Sequence, residues 1–285
     1  RSGFELDCDK ILQTDGGSII TGLRCFSLPL ILDCGQAFRW SENADGSWSG
    51  VAMNRELRLK QDGDRLFFEN TTPDEIKNIW IKYFDLGRDY TAICKRLSAD
   101  ENLKTACSEY PGIRILKQDE WETLCSFILS QNNNIPRIRK IIASLCERFG
   151  APIAGTPFYA FPTAERLAEA GMEGLAEIRC GFRAKYVADA AARVASGALD
   201  LEALRKQSYE TAKAALMTVY GVGAKVADCV LLFSLGFYEA FPVDVWVKKV
   251  IAKYYGEGFD GRRFGAYAGV AQQYLFYYER SLSGR

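Results

Sequence analysis

Residues 216–233, Leu-Met-Thr-Val-Tyr-Gly-Val-Gly-Ala-Lys-Val-Ala-Asp-Cys-Val-Leu-Leu-Phe, require the chain to reverse sharply between two helices. Gly221 and Gly223 flank a single apolar residue, Val222, with helix-forming sequence on either side. Glycine supplies the backbone freedom for so tight a hairpin, and the valine can anchor it in a core. The second helix then begins with unpaired amides. Together with the helix dipole they form an anion site at Gly221, Val222 and Gly223, suited to a nucleic-acid phosphate. By itself a Gly-x-Gly also describes an ordinary turn between helices, so the rest of the chain must decide between the two.

The pattern changes along the chain. Short aromatic and aliphatic runs at Phe38-Arg39-Trp40, Ser47–Val51, Leu57-Arg58-Leu59 and Leu66-Phe67-Phe68 are separated by Asn43-Ala44-Asp45-Gly46 and Asp62-Gly63-Asp64. These features predict an antiparallel meander over roughly the first 85 residues. A helix is expected after Thr72, which can cap it, with Pro73 in its first turn. From about residue 116 helical spacing takes over: Trp121, Leu124, Phe127 and Ile128 share one face, as do Ile138, Ile141, Ile142, Leu145 and Phe149. Further helices are expected at 183–194, 209–219, 225–235, 245–255 and 264–282, with about eight in all. The prediction is an α+β protein, with an antiparallel sheet domain over 1–115 followed by a helical domain over 116–285.

Composition removes several function classes. The chain has 285 residues and no histidine, which excludes Ser-His-Asp hydrolysis and His-ligated metal catalysis. Nine cysteines are present, no two spaced C-x-x-C, and several lie among apolar neighbours, as Cys146 does. Reduced, buried thiols are expected, with neither a metal site nor a cofactor. No apolar run approaches the roughly 18 residues that span a bilayer. The first residues do not follow the charged-then-apolar order of a secretion signal. A soluble intracellular monomer without membrane contact is expected. Net charge is zero, but bases slightly outnumber acids from residue 116 onward, which fits a local phosphate-binding face.

Two residues downstream of the hairpin carry chemistry. Lys225 sits in the first turn of the second helix, and Asp244 follows in Phe241-Pro-Val-Asp-Val-Trp246. Plain alternatives exist, a solvated lysine and a helix-capping aspartate after Pro242. Together the residues resemble the helix-hairpin-helix glycosylase superfamily, whose motif L-x-x-V/L-x-G-V-G-x-K followed by P-V-D matches at Leu216, Gly221, Gly223, Lys225, Pro242, Val243 and Asp244. The resemblance implies a lysine nucleophile attacking the sugar C1′ of an everted nucleotide, and an essential carboxylate beside it. An amine attacks only when neutral, and the positive potential of a helix N-terminus favours that form. The Schiff base so formed can eliminate the 3′ phosphate and nick the strand.

Three further segments, and one near the N-terminus, resemble the 8-oxoguanine glycosylase branch of the superfamily (the HhH-GPD proteins, with a TBP-like N-terminal sheet domain). In Ser126–Ile138 the resemblance places Asn132 at the lesion and Arg137 on the cytosine left opposite it; in composition alone this is a polar loop with a helix cap. In Gly181-Phe-Arg-Ala-Lys-Tyr186, Arg183 matches the second cytosine-reading arginine, and Phe182 stands where a wedging tyrosine is usual. On the C-terminal helix, Gln272 and Phe276 lie one turn apart, implying a base-edge contact and a stacking face, with Cys229 and Phe233 opposite. In Gly35-Gln-Ala-Phe-Arg-Trp40, Gly35 matches the glycine whose carbonyl meets the N7–H of oxidised guanine. Trp246 departs from the family's histidine, and Phe233 from the methionine of some members. The implied function is a bifunctional glycosylase and lyase of base excision repair, preferring 8-oxoguanine opposite cytosine. Its partner is double-stranded DNA containing damaged guanine. The protein would act in the nucleoid and cytoplasm of a bacterium or the nucleus of a eukaryote. Competing readings are an alkylpurine or other oxidised-base glycosylase, a non-catalytic DNA-binding module, and a metabolic Schiff-base enzyme, the last explaining neither hairpin nor arginines.

Overall fold

A computed structural model describes residues 6–284. Six strands, β1 (Lys10–Thr14), β2 (Gly17–Thr21), β3 (Trp40–Glu42), β4 (Trp48–Ala52), β5 (Arg55–Asp62) and β6 (Arg65–Glu69), form one sheet in the order β1-β2-β6-β5-β4-β3. Every pairing in it is antiparallel. The connections carry the expected turn chemistry. Met53 and Asn54, between β4 and β5, both have positive φ, as a two-residue hairpin turn demands. Asp45 accepts from both the amide and the hydroxyl of Ser47. β5 shows the half-buried alternation of such a sheet: Leu57 and Leu59 are buried, and Arg58 and Lys60 are exposed. The sequence pattern missed β1 and β2, which complete the sheet edge.

A short helix α1 (Leu28–Leu32) precedes β3. After β6 come α2 (Pro73–Glu75), a wide turn through Ile76–Trp80, and α3 (Ile81–Tyr83). Thr72 caps α2 as predicted, accepting from the Glu75 amide. Trp80, Tyr83 and Phe84 from this unit pack with Trp40, Leu59 and Phe68 of the sheet in one apolar core.

The remaining helices are α4 (Tyr90–Leu97), α5 (Glu101–Glu109), α6 (Glu120–Leu129), α7 (Ile135–Phe149), α8 (Ala164–Glu177), α9 (Ala184–Ala195), α10 (Tyr209–Leu216), α11 (Ala224–Val230), α12 (Val245–Val250) and α13 (Ala268–Leu282). They enclose a second, larger core. α11 lies along α6, and α13 packs against α5 and α12. α4 and α5 belong to this helical core although they precede residue 115, because Tyr90, Ile93, Leu97, Leu103 and Ala106 face it. Asp89 and Asp100 cap them. α13 starts four residues later than its apolar spacing predicts, since Gly265, at φ +67°, breaks the preceding turn. The nine cysteines are all free. Among the described residues no helix is long and apolar enough to cross a membrane.

A buried polar network joins the two cores. Arg114 is fully buried and pairs with Asp7, while its other donors reach the carbonyls of Cys25, Arg24 and Asp85. The Asp85 carboxylate accepts from Tyr90 at 2.8 Å and from Tyr238 at 2.6 Å, and pairs with Lys117 at 3.3 Å. Removing one partner of such a set strands a charge away from water. Arg114→Met is therefore expected to cost about 3–5 kcal/mol in urea unfolding. Lys104→Met, on the exposed face of α5, should stay within about 0.5 kcal/mol.

Candidate active site

The hairpin between α10 and α11 is built as the sequence requires. Its turn closes through Val222 N–H to Val219 O at 3.0 Å, with Val222 buried beneath it. Gly221 has φ +79°, and a Cβ there would fall 2.4 Å from the Tyr186 ring, which packs against the turn. Gly223 caps α11 with no side chain, leaving the first amides of that helix directed outward.

Lys225, on the first turn of α11, and Asp244, the cap of α12, meet at one cavity. Asp244 caps α12, accepting from the Val247 amide at 2.8 Å, and lines the cavity with Lys225. Burial raises the Asp244 carboxyl above the usual range, against the opposing pull of the Val247 amide and the Lys225 charge. The Lys225 amine lies 5.2 Å from the centre of the Phe127 ring. Cys229, one turn further along α11, is buried, and burial pushes its thiol up to about 11.

The cavity has an outer and an inner part. The outer cleft measures about 420 Å³, the inner chamber about 30 Å³. Gly35, Phe127, Lys225, Asp244 and Phe276 border both. Cys229, Phe233 and Gln272 line only the inner chamber, which has room for about two waters. It is small because Phe276 lies over Gly35: a Cβ added to Gly35 would sit 3.2 Å from the ring. Phe127 stacks on Phe233 at 5.5 Å and makes the floor. The Gln272 side chain is buried, and its Oε1 has no hydrogen-bond partner among the described residues.

Gly35 is held by its neighbours. Gln273 donates to Cys34 O at 3.1 Å, and Arg280 to Asp33 O at 2.7 Å, both from α13. Gln36 donates to Arg114 O at 2.8 Å and accepts from the Leu116 amide at 2.9 Å. Gly35 itself has φ +73°, a left-handed conformation that glycine takes without strain.

The four residues expected around the opposite base lie outside the inner chamber. Asn132 is exposed at the cleft, at φ +48°. Asn134 caps α7 through the Arg137 amide, and the Arg137 side chain projects into solvent. Arg183 is buried; its Nε donates to Gln131 O at 2.7 Å and one Nη to Asn132 O at 2.9 Å. In this conformation it braces the asparagine loop. Phe182 is 47% exposed, its ring 4.5 Å from the Arg183 guanidinium. The reading from sequence placed the pocket residues together but overlooked Phe127 as its floor and Gln273 and Arg280 as its clamps. Trp246, noted only as a departure, lines the cleft with Lys249 4.3 Å from its ring. Among the described residues no cluster of three or more acids and cysteines could hold a metal ion.

Known proteins share this fold. The family model for the N-terminal domain of 8-oxoguanine DNA glycosylase matches residues 18–124, and that for the HhH-GPD superfamily base excision DNA repair protein matches 125–260. The N-glycosylase/DNA lyase of Saccharomyces cerevisiae is 33% identical over 252 residues, which cover 79% of this chain and 67% of that one. The Clostridium acetobutylicum 8-oxoguanine glycosylase/lyase, solved with dsDNA containing cytosine opposite to 8-oxoG, superimposes with a TM-score of 0.92 at 39% identity, over 98% of this chain and all of that one. A structure of MBOgg1 with a low-affinity DNA ligand gives a TM-score of 0.93 at 45% identity, over 96% and 99%. The chain belongs to the 8-oxoguanine DNA glycosylase family, a branch of the HhH-GPD superfamily of base excision repair glycosylases with lyase activity.

Proposed function

We propose that the chain everts 8-oxoguanine from duplex DNA, preferring cytosine opposite, and removes it through a Schiff base on Lys225. The observation that carries this reading is the shared cavity: an amine and a carboxylate border the same chamber as Gly35 and an unpartnered carboxamide. A phosphate of the everted strand would sit on the amides of Gly223 and the first turn of α11. A Cβ at Gly223 would meet nothing in the protein, so packing does not account for the glycine, whereas close approach of a phosphate does. The base would enter the inner chamber as the Phe276 ring turns aside to stack on it. The Gly35 carbonyl would take the N7–H that oxidised guanine has and guanine lacks, and Gln272 would meet the base edge.

The neutral Lys225 amine then forms a bond to C1′ as the bond from C1′ to N9 breaks, and the base leaves with the bonding pair. Ionised Asp244 stabilises the positive charge that develops on the sugar. Ring opening gives the imine, loss of a proton from C2′ expels the 3′ phosphate, and water releases the lysine. Asn132, Arg137, Arg183 and Phe182 would fill and read the vacated stack. For Arg183 this requires exchanging its hydrogen bonds to the Gln131 and Asn132 carbonyls for cytosine acceptors. The relative from Clostridium acetobutylicum, whose DNA carries cytosine opposite 8-oxoG, supports the base pair chosen. The protein would work as a monomer on double-stranded DNA.

Borohydride trapping with an 8-oxoguanine:cytosine duplex tests the reading. The wild type should give a covalent adduct; Lys225→Gln should give none and lose excision by about 10³-fold or more, while binding the damaged duplex within a few-fold of wild type. Loss of binding as well would make the lysine structural. Arg137→Ala should reduce the preference for cytosine over adenine opposite the lesion by about tenfold, as one paired contact is worth about 1–3 kcal/mol. Gln272→Met removes a buried acceptor with no partner, so thermal stability should hold or rise, by up to about 1 kcal/mol. Lesion excision should fall at the same time. A loss of stability would mean that the carboxamide is already satisfied.

A further inference from the structure

The helix that carries Lys225 also carries Asp228. Side chains three residues apart are neighbours on a helix surface, and these two line one open groove beside the cleft. Asp228 is only 6% exposed. Ionised and unpaired, it would put a second negative charge within one helical turn of an amine that must be neutral to attack. The structure supplies a counter-charge from across the hairpin. Lys213 of α10 donates to Asp228 Oδ2 at 3.0 Å and to the Tyr209 hydroxyl at 2.9 Å, and that hydroxyl donates to Asp228 Oδ1 at 2.6 Å. Both carboxylate oxygens are thereby engaged. Tyr209 and Lys213 are one turn apart on α10, so the helix pair that shapes the hairpin also delivers this contact.

The other charged and titratable groups around the amine have different fates. Asp244 faces it from the start of α12, and the buried Cys229 thiol on its own helix stays protonated. Lys248 borders the outer cleft and is exposed. Across the groove Asp260 is paired with Arg262, and Glu210 and Glu239 are exposed, where water screens them. Asp228 is the buried carboxylate whose charge needs cancelling if Asp244 alone is to act on the amine.

We propose that Lys213 is a positioning residue for base excision: by neutralising Asp228 it leaves Asp244 as the single carboxylate whose charge acts on Lys225. The proposal rests on Lys225 being the nucleophile. The test is the pH dependence of single-turnover excision. In Lys213→Met the pH at half-maximal rate should move up by about one unit, so that the rate near neutrality falls about tenfold and recovers in alkali. Lys213→Arg should keep the wild-type midpoint, and Lys213→Met with Asp228→Asn should restore it. A rate reduced by one factor at every pH, or no restoration in the double variant, overturns the proposal. Should Lys213→Met be too unstable to assay, Asp228→Asn alone decides: it leaves the Lys213 cation unbalanced and should move the midpoint down, and an unmoved midpoint overturns the proposal. A wild-type adduct that traps, with an unshifted Lys213→Met profile, removes only the role of Lys213. A wild type that forms no adduct removes the nucleophile and the proposal together.

Discussion

The seam between the two cores fixes where everything else can stand. Between residues 34 and 40 the side chains divide their loyalties: Cys34 and Phe38 are buried in the helical core, Ala37 and Trp40 in the sheet core. A segment pinned on both sides cannot slide, and Gly35 lies within it. Close packing makes such a position costly to shift. The network of Arg114, Asp7 and Asp85 runs alongside and ties the two halves together. A backbone carbonyl from the sheet half is thereby held against α13 of the helical half, which local sequence alone cannot arrange.

The helical half contributes by caps and turns. Asp244 has its orientation because it caps α12, so the bond that starts a helix also aims a carboxylate. Lys225 points into the cavity because Gly221 lets the chain turn against Tyr186 and Val222 holds the turn down. The bonds that start these helices and close their turns also aim the two side chains that the proposed reaction uses, so those groups need no separate scaffold.

This sharing explains what could be read from the sequence. The tight turn and the α12 cap were legible because Gly-Val-Gly and Pro-Val-Asp encode local geometry, whereas the pairing of Lys225 with Asp244 was legible only through resemblance. Gly35, Gln272 and Phe276 were legible only through resemblance, since a turn glycine and an amphipathic helix have no distinctive local signal. α4 and α5 went unread: α5 buries only Leu103, Ala106 and Cys107, too few for a strong helical pattern. The strand β1 went unread because Lys10–Thr14 is mostly exposed and shows no clear alternation, and β2 because Gly17–Thr21 offers only Ile19 and Ile20 as apolar residues. The clamps on the Gly35 loop were beyond reach, as Gln273 and Arg280 act on partners 239 and 247 residues away.

The aromatic ring resting on Gly35 has a consequence for molecules other than DNA. An inner chamber with room for two waters offers no ready vacancy to a small compound. Whatever occupies it has to displace the Phe276 side chain and then replace the contacts the ring gives up. A flat heterocycle that slides beneath the ring meets both demands and can also donate to the Gln272 oxygen, whereas a compact polar fragment can do no more than donate to that oxygen. Chemical probes of this protein should therefore be sought among planar, donor-bearing ring systems large enough to hold that gate open.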